Sequence, residues 1–408
     1  MMKKESKVFF TNLDGLRFFC FLSVFLFHSF ATDYQNIKAS GSYHFIKGFL
    51  VANGNLGVNF FFVLSGFLIT YLLFSEKEKY RKISVGNFYI RRILRIWPLF
   101  YFCVFFGFVI FPILKRALGQ VPSETAHPLS YLFFLNNIDF IKTGLPDSSE
   151  LGVLWSVAIE EQFYLVWPIL IALIPRTRIR FVFLFIILST FCFRFYYHNN
   201  PLILEFHTFS CISDMAVGGY FAYLCMYNNK FMEKLKVLKK VWLALLYVFI
   251  VIIFLFRKQL FGANSFLLAA DRLLISLLFA LVIVEQNYAE KSFFKMSNYK
   301  LISRWGVYTY GLYCLHMIGI LIVNNSLALA GLNKNIYEVV ILGSALCLLI
   351  TLLLAYGSYH LFEKHFLKMK EKFQLIATTN TFLMRTKPVG FVRRGNPLRK
   401  FKKNSPVD

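Results

Sequence analysis

The sequence predicts an all-α integral membrane protein of about ten transmembrane helices, with N- and C-termini cytoplasmic. Three observations predict it. Of its 408 residues 57% are hydrophobic and only 16% charged, a balance too apolar for a soluble chain of this length. The apolar residues fall in long runs, most of them near the ~17–25 residues that cross a bilayer as a helix. With the N-terminus inside, the segments between spans that face the cytoplasm carry 35 of the 45 Lys and Arg, and the outer ones carry 8. That asymmetry is a positive-inside signal and makes the net charge of +24 a topology marker rather than a nucleic-acid footprint.

The expected spans are about 13–31, 55–74, 97–114, 151–174, 181–198, 210–227, 241–256, 266–284, 305–329 and 337–360. The first carries Asp14, Arg17 and His28 in an otherwise apolar run, so it should line protein or a wet cavity rather than lipid. A titratable imidazole in hydrocarbon marks a functional site by default. Eleven residues are about three helical turns, so Arg17 and His28 share one face roughly 16 Å apart. A positive-inside anchor below a satisfied polar residue would look the same.

Before the second span stands Asn53-Gly-Asn-Leu-Gly-Val-Asn-Phe-Phe-Phe-Val-Leu-Ser-Gly-Phe-Leu-Ile69, where Gly57, Ser65 and Gly66 suit close helix packing. The third span is entered through Phe88-Tyr-Ile-Arg-Arg-Ile-Leu-Arg-Ile-Trp-Pro98. A helix puts Arg91, Arg92 and Arg95 on one side, either as snorkelling anchors or as a guanidinium fork for a phosphate-rich ligand. The fourth begins Leu151-Gly-Val-Leu-Trp-Ser-Val-Ala-Ile-Glu-Glu-Gln-Phe-Tyr-Leu-Val-Trp-Pro168. Glu160 and Glu161 need partners or water there. Neighbours on a helix point about 100° apart, so one of them, expected to be Glu160, faces the cavity that holds His28. The other reading ties the carboxylate to an arginine of another span such as Arg194. In the ninth span, Tyr308-Thr-Tyr-Gly-Leu-Tyr-Cys-Leu-His316 places a second imidazole that neighbouring hydroxyls can satisfy. The tenth closes on His360-Leu-Phe-Glu-Lys-His365, read as an interfacial charge cluster.

The domain organisation is a membrane domain over 1–362 and a basic cytoplasmic tail over 363–408, expected to form a short interfacial helix and then disorder. The N-terminal Met1-Met-Lys-Lys-Glu-Ser looks like a signal n-region, but no small-residue cleavage site follows, so a retained span is expected. The longest outer loop, 115–150, is too short for a catalytic domain. Seven cysteines without paired spacing read as apolar packing residues. No metal site and no Walker or Rossmann phosphate loop is present.

Taken in order, Leu13-Asp-Gly-Leu-Arg17 with ten residues before His28, Phe61-Phe-Val-Leu-Ser-Gly-Phe67, the Arg-X-X-Arg of Arg92 and Arg95, Trp155-Ser-Val-Ala-Ile-Glu-Glu-Gln-Phe-Tyr164, and the Tyr-X-X-Tyr-X-X-His from Tyr310 to His316 resemble the acyltransferase-3 family of integral membrane acyltransferases. His365 departs from the family's frequent Pro. The resemblance implies a multi-pass O-acyltransferase of the cell (inner) membrane. It implies no permanently bound cofactor, acyl-CoA (most often acetyl-CoA) as donor co-substrate, and a cell-envelope glycan or lipid-linked sugar as acceptor, with membrane lipids around it and no nucleic acid. Arg17, Arg92 and Arg95 would bind the donor. His28 would take the acceptor hydroxyl's proton, or form an acyl-histidine, with Glu160 orienting it as the third member of a triad does. A secondary transporter or lipid/glycan flippase, using the same groups as a proton relay, is the rival reading.

Overall fold

The computed structural model describes residues 10–375 apart from 31 and 33; the first nine residues and the tail beyond 375 lie outside the described residues. Ten long helices make up the bundle, and no strand occurs among the described residues. They are α1 (Thr11–Ser29), α2 (Leu56–Tyr80), α3 (Val85–Ala117), α4 (Trp155–Leu173), α5 (Ile179–Tyr196), α6 (Thr208–Tyr227), α7 (Lys240–Phe261), α8 (Ser265–Tyr288), α9 (Thr309–Ala330) and α10 (Glu338–Glu371). Each expected span is thus occupied by a helix. Nine helices among the described residues are long and apolar enough to cross a membrane. The nineteen-residue α1 is not one of these, because Asn12, Asp14, Arg17 and His28 dilute its apolar run.

Helix α1 stands inside the bundle, against α2, α9 and the short helix Lys300–Gly306. The tightest crossing joins α2 to α6. There Gly66 lies on the backbone of Met215 and Gly218 on the backbone of Val63, so that a Cβ at either would overlap main chain. Such contact substitutes for a hydrophobic driving force that lipid cannot supply between helices. Gly57 meets the Cys20 carbonyl of α1 in the same way. By contrast α7 is peripheral, and its Leu245, Val248, Phe249 and Ile252 are exposed, as a lipid-facing helix requires.

Two buried arginines are paired with buried aspartates. Arg194 of α5 bonds Asp271 at 2.6 Å, the Leu204 carbonyl at 2.9 Å and Ser210 at 2.7 Å. Arg272 bonds Asp214 at 2.9 Å. Arg194 is therefore a tie between α5, α6 and α8, not the partner of Glu160 or Glu161. The third span starts at Val85, well before residue 97, because the arginine segment is already helical. Pro98 interrupts α3's ladder, and a π turn follows at Phe106–Ile110. The 115–150 loop folds onto the bundle through two short helices, Pro128–Leu132 and Asn136–Thr143.

The proposed boundary at 362 and 363 falls within a π turn, Tyr359–Glu363, from which Lys364–Glu371 continues directly as the last segment of α10. That segment packs against α3.

Candidate active site

A cavity of about 340 Å³ lies between α1, α2, α3, α4, α9 and α10. Its walls are helical stripes. Phe10, Leu13, Asp14 and Arg17 line it from α1 and the residue before it, at the three- and four-residue spacing of one helix face. Helix α2 contributes Ser65, Leu68, Ile69, Leu72 and Glu76 by the same periodicity. The Tyr359–Glu363 π turn brings Tyr359 and Glu363 to the wall, and the following segment adds Leu367 and Lys370.

All three sequence-predicted cations, Arg17, Arg92 and Arg95, line this cavity together with Arg91, but they differ in what they hold. Arg17 forms an ion pair with Asp14. Arg91 is committed to Glu76 at 3.4 Å and to the Phe373 carbonyl at 2.8 Å. Arg92 lies over the rings of Phe88 and Tyr164, 5.4 and 5.5 Å from their centroids, and its Nε is buried without a partner. Among the described residues neither Arg95 nor Lys370 has a hydrogen bond or ion pair. These two and Arg92 are thus the cavity cations that, among the described residues, no carboxylate already pairs.

The start of α4 distributes its polar side chains around the helix as a 100° step requires. Ser156 donates to the Tyr313 hydroxyl at 2.6 Å, and that hydroxyl donates to the Val153 carbonyl at 3.0 Å. Glu160 faces the cavity and accepts from Ser65 at 2.6 Å, within electrostatic reach of Arg92 and Arg95. Glu161 points away and accepts from Trp97 Nε1 at 2.8 Å. Gln162 donates to the Phe134 carbonyl and to Asn137, and so docks the outer loop.

His28 is not on the cavity wall. The cavity's inner end is formed by Phe61, Ser156 and Tyr313. Behind them His316 lies 5.8 Å from the Tyr313 ring, and His28 lies 5.3 Å from His316, between ring centroids. His28 occupies the last turn of α1, whose Phe27 carbonyl is capped by Lys47 at 2.5 Å. No hydrogen bond joins His28 to Glu160 among the described residues. In place of the expected pairing of imidazole with carboxylate, the His28 ring lies beside the His316 ring, with no hydrogen bond between the two. The reason is geometric: Glu160 turns toward Ser65 and the arginine side, and α9 delivers His316 to the space beside His28. Nor do the described residues contain a group of three or more His, Cys, Asp or Glu able to hold a metal.

Sequence reasoning did not single out Glu76, Glu363 or Lys370 as cavity residues. For Glu76 a signal existed, because it follows Ser65 by eleven residues, the same three-turn spacing as Arg17 and His28. Lys370 had none, since its place depends on α10 packing against α3.

Comparison with known proteins agrees with this architecture. A family described as an acyltransferase domain matches residues 10–360. The chain is 25% identical over 403 residues to the peptidoglycan O-acetyltransferase OatA of Listeria monocytogenes, covering 95% of this chain and 61% of that protein. It is 27% identical over 381 residues to the putative peptidoglycan O-acetyltransferase YrhL of Bacillus subtilis, covering 89% and 55%. The match to the O-acetyltransferase OatA of Staphylococcus aureus is 31% over 199 residues, or 46% and 30%. The chain therefore spans no more than about three-fifths of the length of these relatives. No solved structure matches it. With the family covering every motif from Arg17 to His316 and nearly the whole bundle, the chain belongs to the acyltransferase domain family of multi-pass membrane proteins.

Proposed function

We propose that this chain is a membrane O-acyltransferase that moves an acyl group, by the wording of its relatives' names an acetyl group, from cytoplasmic acyl-CoA to a hydroxyl of an envelope glycan such as peptidoglycan. One observation carries the reading: a single cavity runs from Arg92, Arg95 and Lys370 to Tyr313 and Ser156, with His28 and His316 behind its inner end. CoA is anionic at its nucleotide end and carries its thioester at the tip of a long uncharged arm. A cationic mouth, an apolar passage and an imidazole beyond it match that distribution of chemistry in order. His28 takes the proton of the acceptor hydroxyl as the oxygen attacks the thioester carbonyl. The C–S bond breaks, the ester C–O bond forms, and the proton passes to the leaving thiolate.

The basic segments around 77–95 and 364–372 support a cytoplasmic position for this mouth. In inside-out vesicles, added acetyl-CoA should be consumed in the presence of a glycan acceptor and CoA thiol released, and in right-side-out vesicles it should not. His28→Ala should reduce release by ~10²–10⁴-fold. Single cysteines at Lys82 and Ser123, in a background lacking the seven native ones, should label from opposite faces. Release undiminished in His28→Ala, or glycan movement without thiol release as a flippase would show, overturns the assignment.

A further inference from the structure

We propose that His316 is the positioning residue of His28: its Nε2 accepts a ring N–H of His28 and so directs the opposite lone pair of His28 at the acceptor hydroxyl. The inference rests on the acyl-transfer reading above and supplies the partner that Glu160 does not.

The tautomer of His316 follows from its surroundings. Its Nδ1 lies 2.6 Å from the backbone carbonyl oxygen of Tyr313. A carbonyl accepts and never donates, so Nδ1 carries a hydrogen, and the neutral ring presents Nε2 as a lone pair. That Nε2 is buried with no hydrogen-bond partner, in a residue with none of its surface exposed. An orphaned acceptor in the interior is costly and calls for an explanation. Only one neighbour is a titratable ring without a hydrogen bond of its own among the described residues. It is His28, with its centroid 5.3 Å away and its plane tilted by 52°. The broad torsion of the His28 ring leaves it free to turn a nitrogen toward Nε2. The other rings against His316, Phe21 and Tyr313, leave it no alternative donor, since the Tyr313 hydroxyl already donates to the Val153 carbonyl.

The resulting chain is Tyr313 carbonyl, His316, His28, acceptor hydroxyl. It has the logic of a base held by an orienting group that is itself held, with a backbone carbonyl and an imidazole in place of the carboxylate. During transfer the hydroxyl O–H bond breaks, and its proton goes to the free nitrogen of His28 as the ester C–O bond forms and the thioester C–S bond breaks. His28 then returns the proton to the CoA thiolate, and His316 ends each turnover with the proton it began with. The hydrogen bond from His28 strengthens while His28 is charged, so its effect falls on the chemical step and not on donor capture at Arg92, Arg95 and Lys370, which line the cavity that His28 does not.

The test uses the full chain in inside-out vesicles with acetyl-CoA and three variants. His316→Leu removes the acceptor. His316→Gln places an amide oxygen near the position of Nε2, and His316→Asn places its amide near Nδ1 instead. The expected result is a kcat lowered ~10²-fold or more in Leu and Asn with donor KM within twofold of wild type, and Gln within tenfold of wild-type kcat. His316→Leu within threefold of wild type overturns the inference. So does equal loss in Gln and Asn at unchanged protein level, or a loss confined to KM. If the Leu variant does not assemble, the Gln and Asn pair, both polar and similar in size, decides. His28→Ala separates the two claims. If it remains active, the functional reading falls and the inference with it; if it is inactive while His316→Leu is active, only the inference falls.

Discussion

Of the four arginines around the cavity, Arg95 should matter most for the donor, because among the described residues its guanidinium has no hydrogen bond or ion pair and, unlike that of Arg92, does not lie over an aromatic ring. Arg91 already spends its donors on Glu76 and the Phe373 carbonyl, and Arg17 on Asp14. A hydrogen bond to a charged group is worth about 1.5–3 kcal/mol, and about 1.4 kcal/mol is a factor of ten. Arg95→Ala should therefore raise KM for acetyl-CoA by about 10–150-fold. Arg91→Ala, which removes donors already given to Glu76 and the Phe373 carbonyl, should raise it by less than about fivefold. Lys370→Ala should fall between the two, since an ammonium offers a point charge without the bidentate fork. Arg95→Lys should recover part of the loss for the same reason. The turnover number should stay near wild type throughout, because these side chains lie at the far end of the cavity from His28. The assay is thiol release from inside-out vesicles over a range of acetyl-CoA concentrations, repeated with the donor lacking its 3′-phosphate. If Arg95→Ala leaves KM within twofold of wild type, or if Arg91→Ala has the larger effect, the reasoning from unspent donors is wrong.

Two further predictions concern assembly. Gly218→Val should prevent the close crossing of α2 and α6, where even a Cβ meets the Val63 backbone. Overpacking of this kind costs at least about 1–3 kcal/mol, and detergent-solubilised protein should show a lower unfolding temperature or aggregate; an unchanged transition would refute the packing. The second is a pH effect in the outer loop. Burial pushes the Asp147 carboxyl up, but the Lys115 ammonium at 2.6 Å and the Ser123 amide at 2.9 Å outweigh it and hold the group below its ordinary value. Its stabilisation is thus complete above the unfolded carboxylate range, about 3.9, and is lost as pH falls through the lower folded value. Asp147→Asn should increase proteolysis of the 118–147 segment at neutral pH, and the difference from wild type should vanish in strong acid. A difference that persists in acid would sink the account.

Much of the architecture was legible in the sequence because hydropathy, helical period and charge asymmetry are local properties. A run such as 241–256 needs no partner to be recognised as a span, and the eleven-residue step from Arg17 to His28 defines a shared face wherever the helix is placed. The same step of about 100° separates Glu160 from Glu161, and the structure turns Glu160 alone toward the cavity. Other features were decided by tertiary structure, since they depend on which faces meet. Glu160 is claimed by Ser65, 95 residues away along the chain, and not by His28. Lys370 reaches the cavity only because the last segment of α10 lies against α3. His28 finds His316 because α1 is inserted beside α9. Periodicity says which side chains share a face; which face it opposes is set by packing among ten helices, where small residues such as Gly66 and Gly218 decide how close two backbones come.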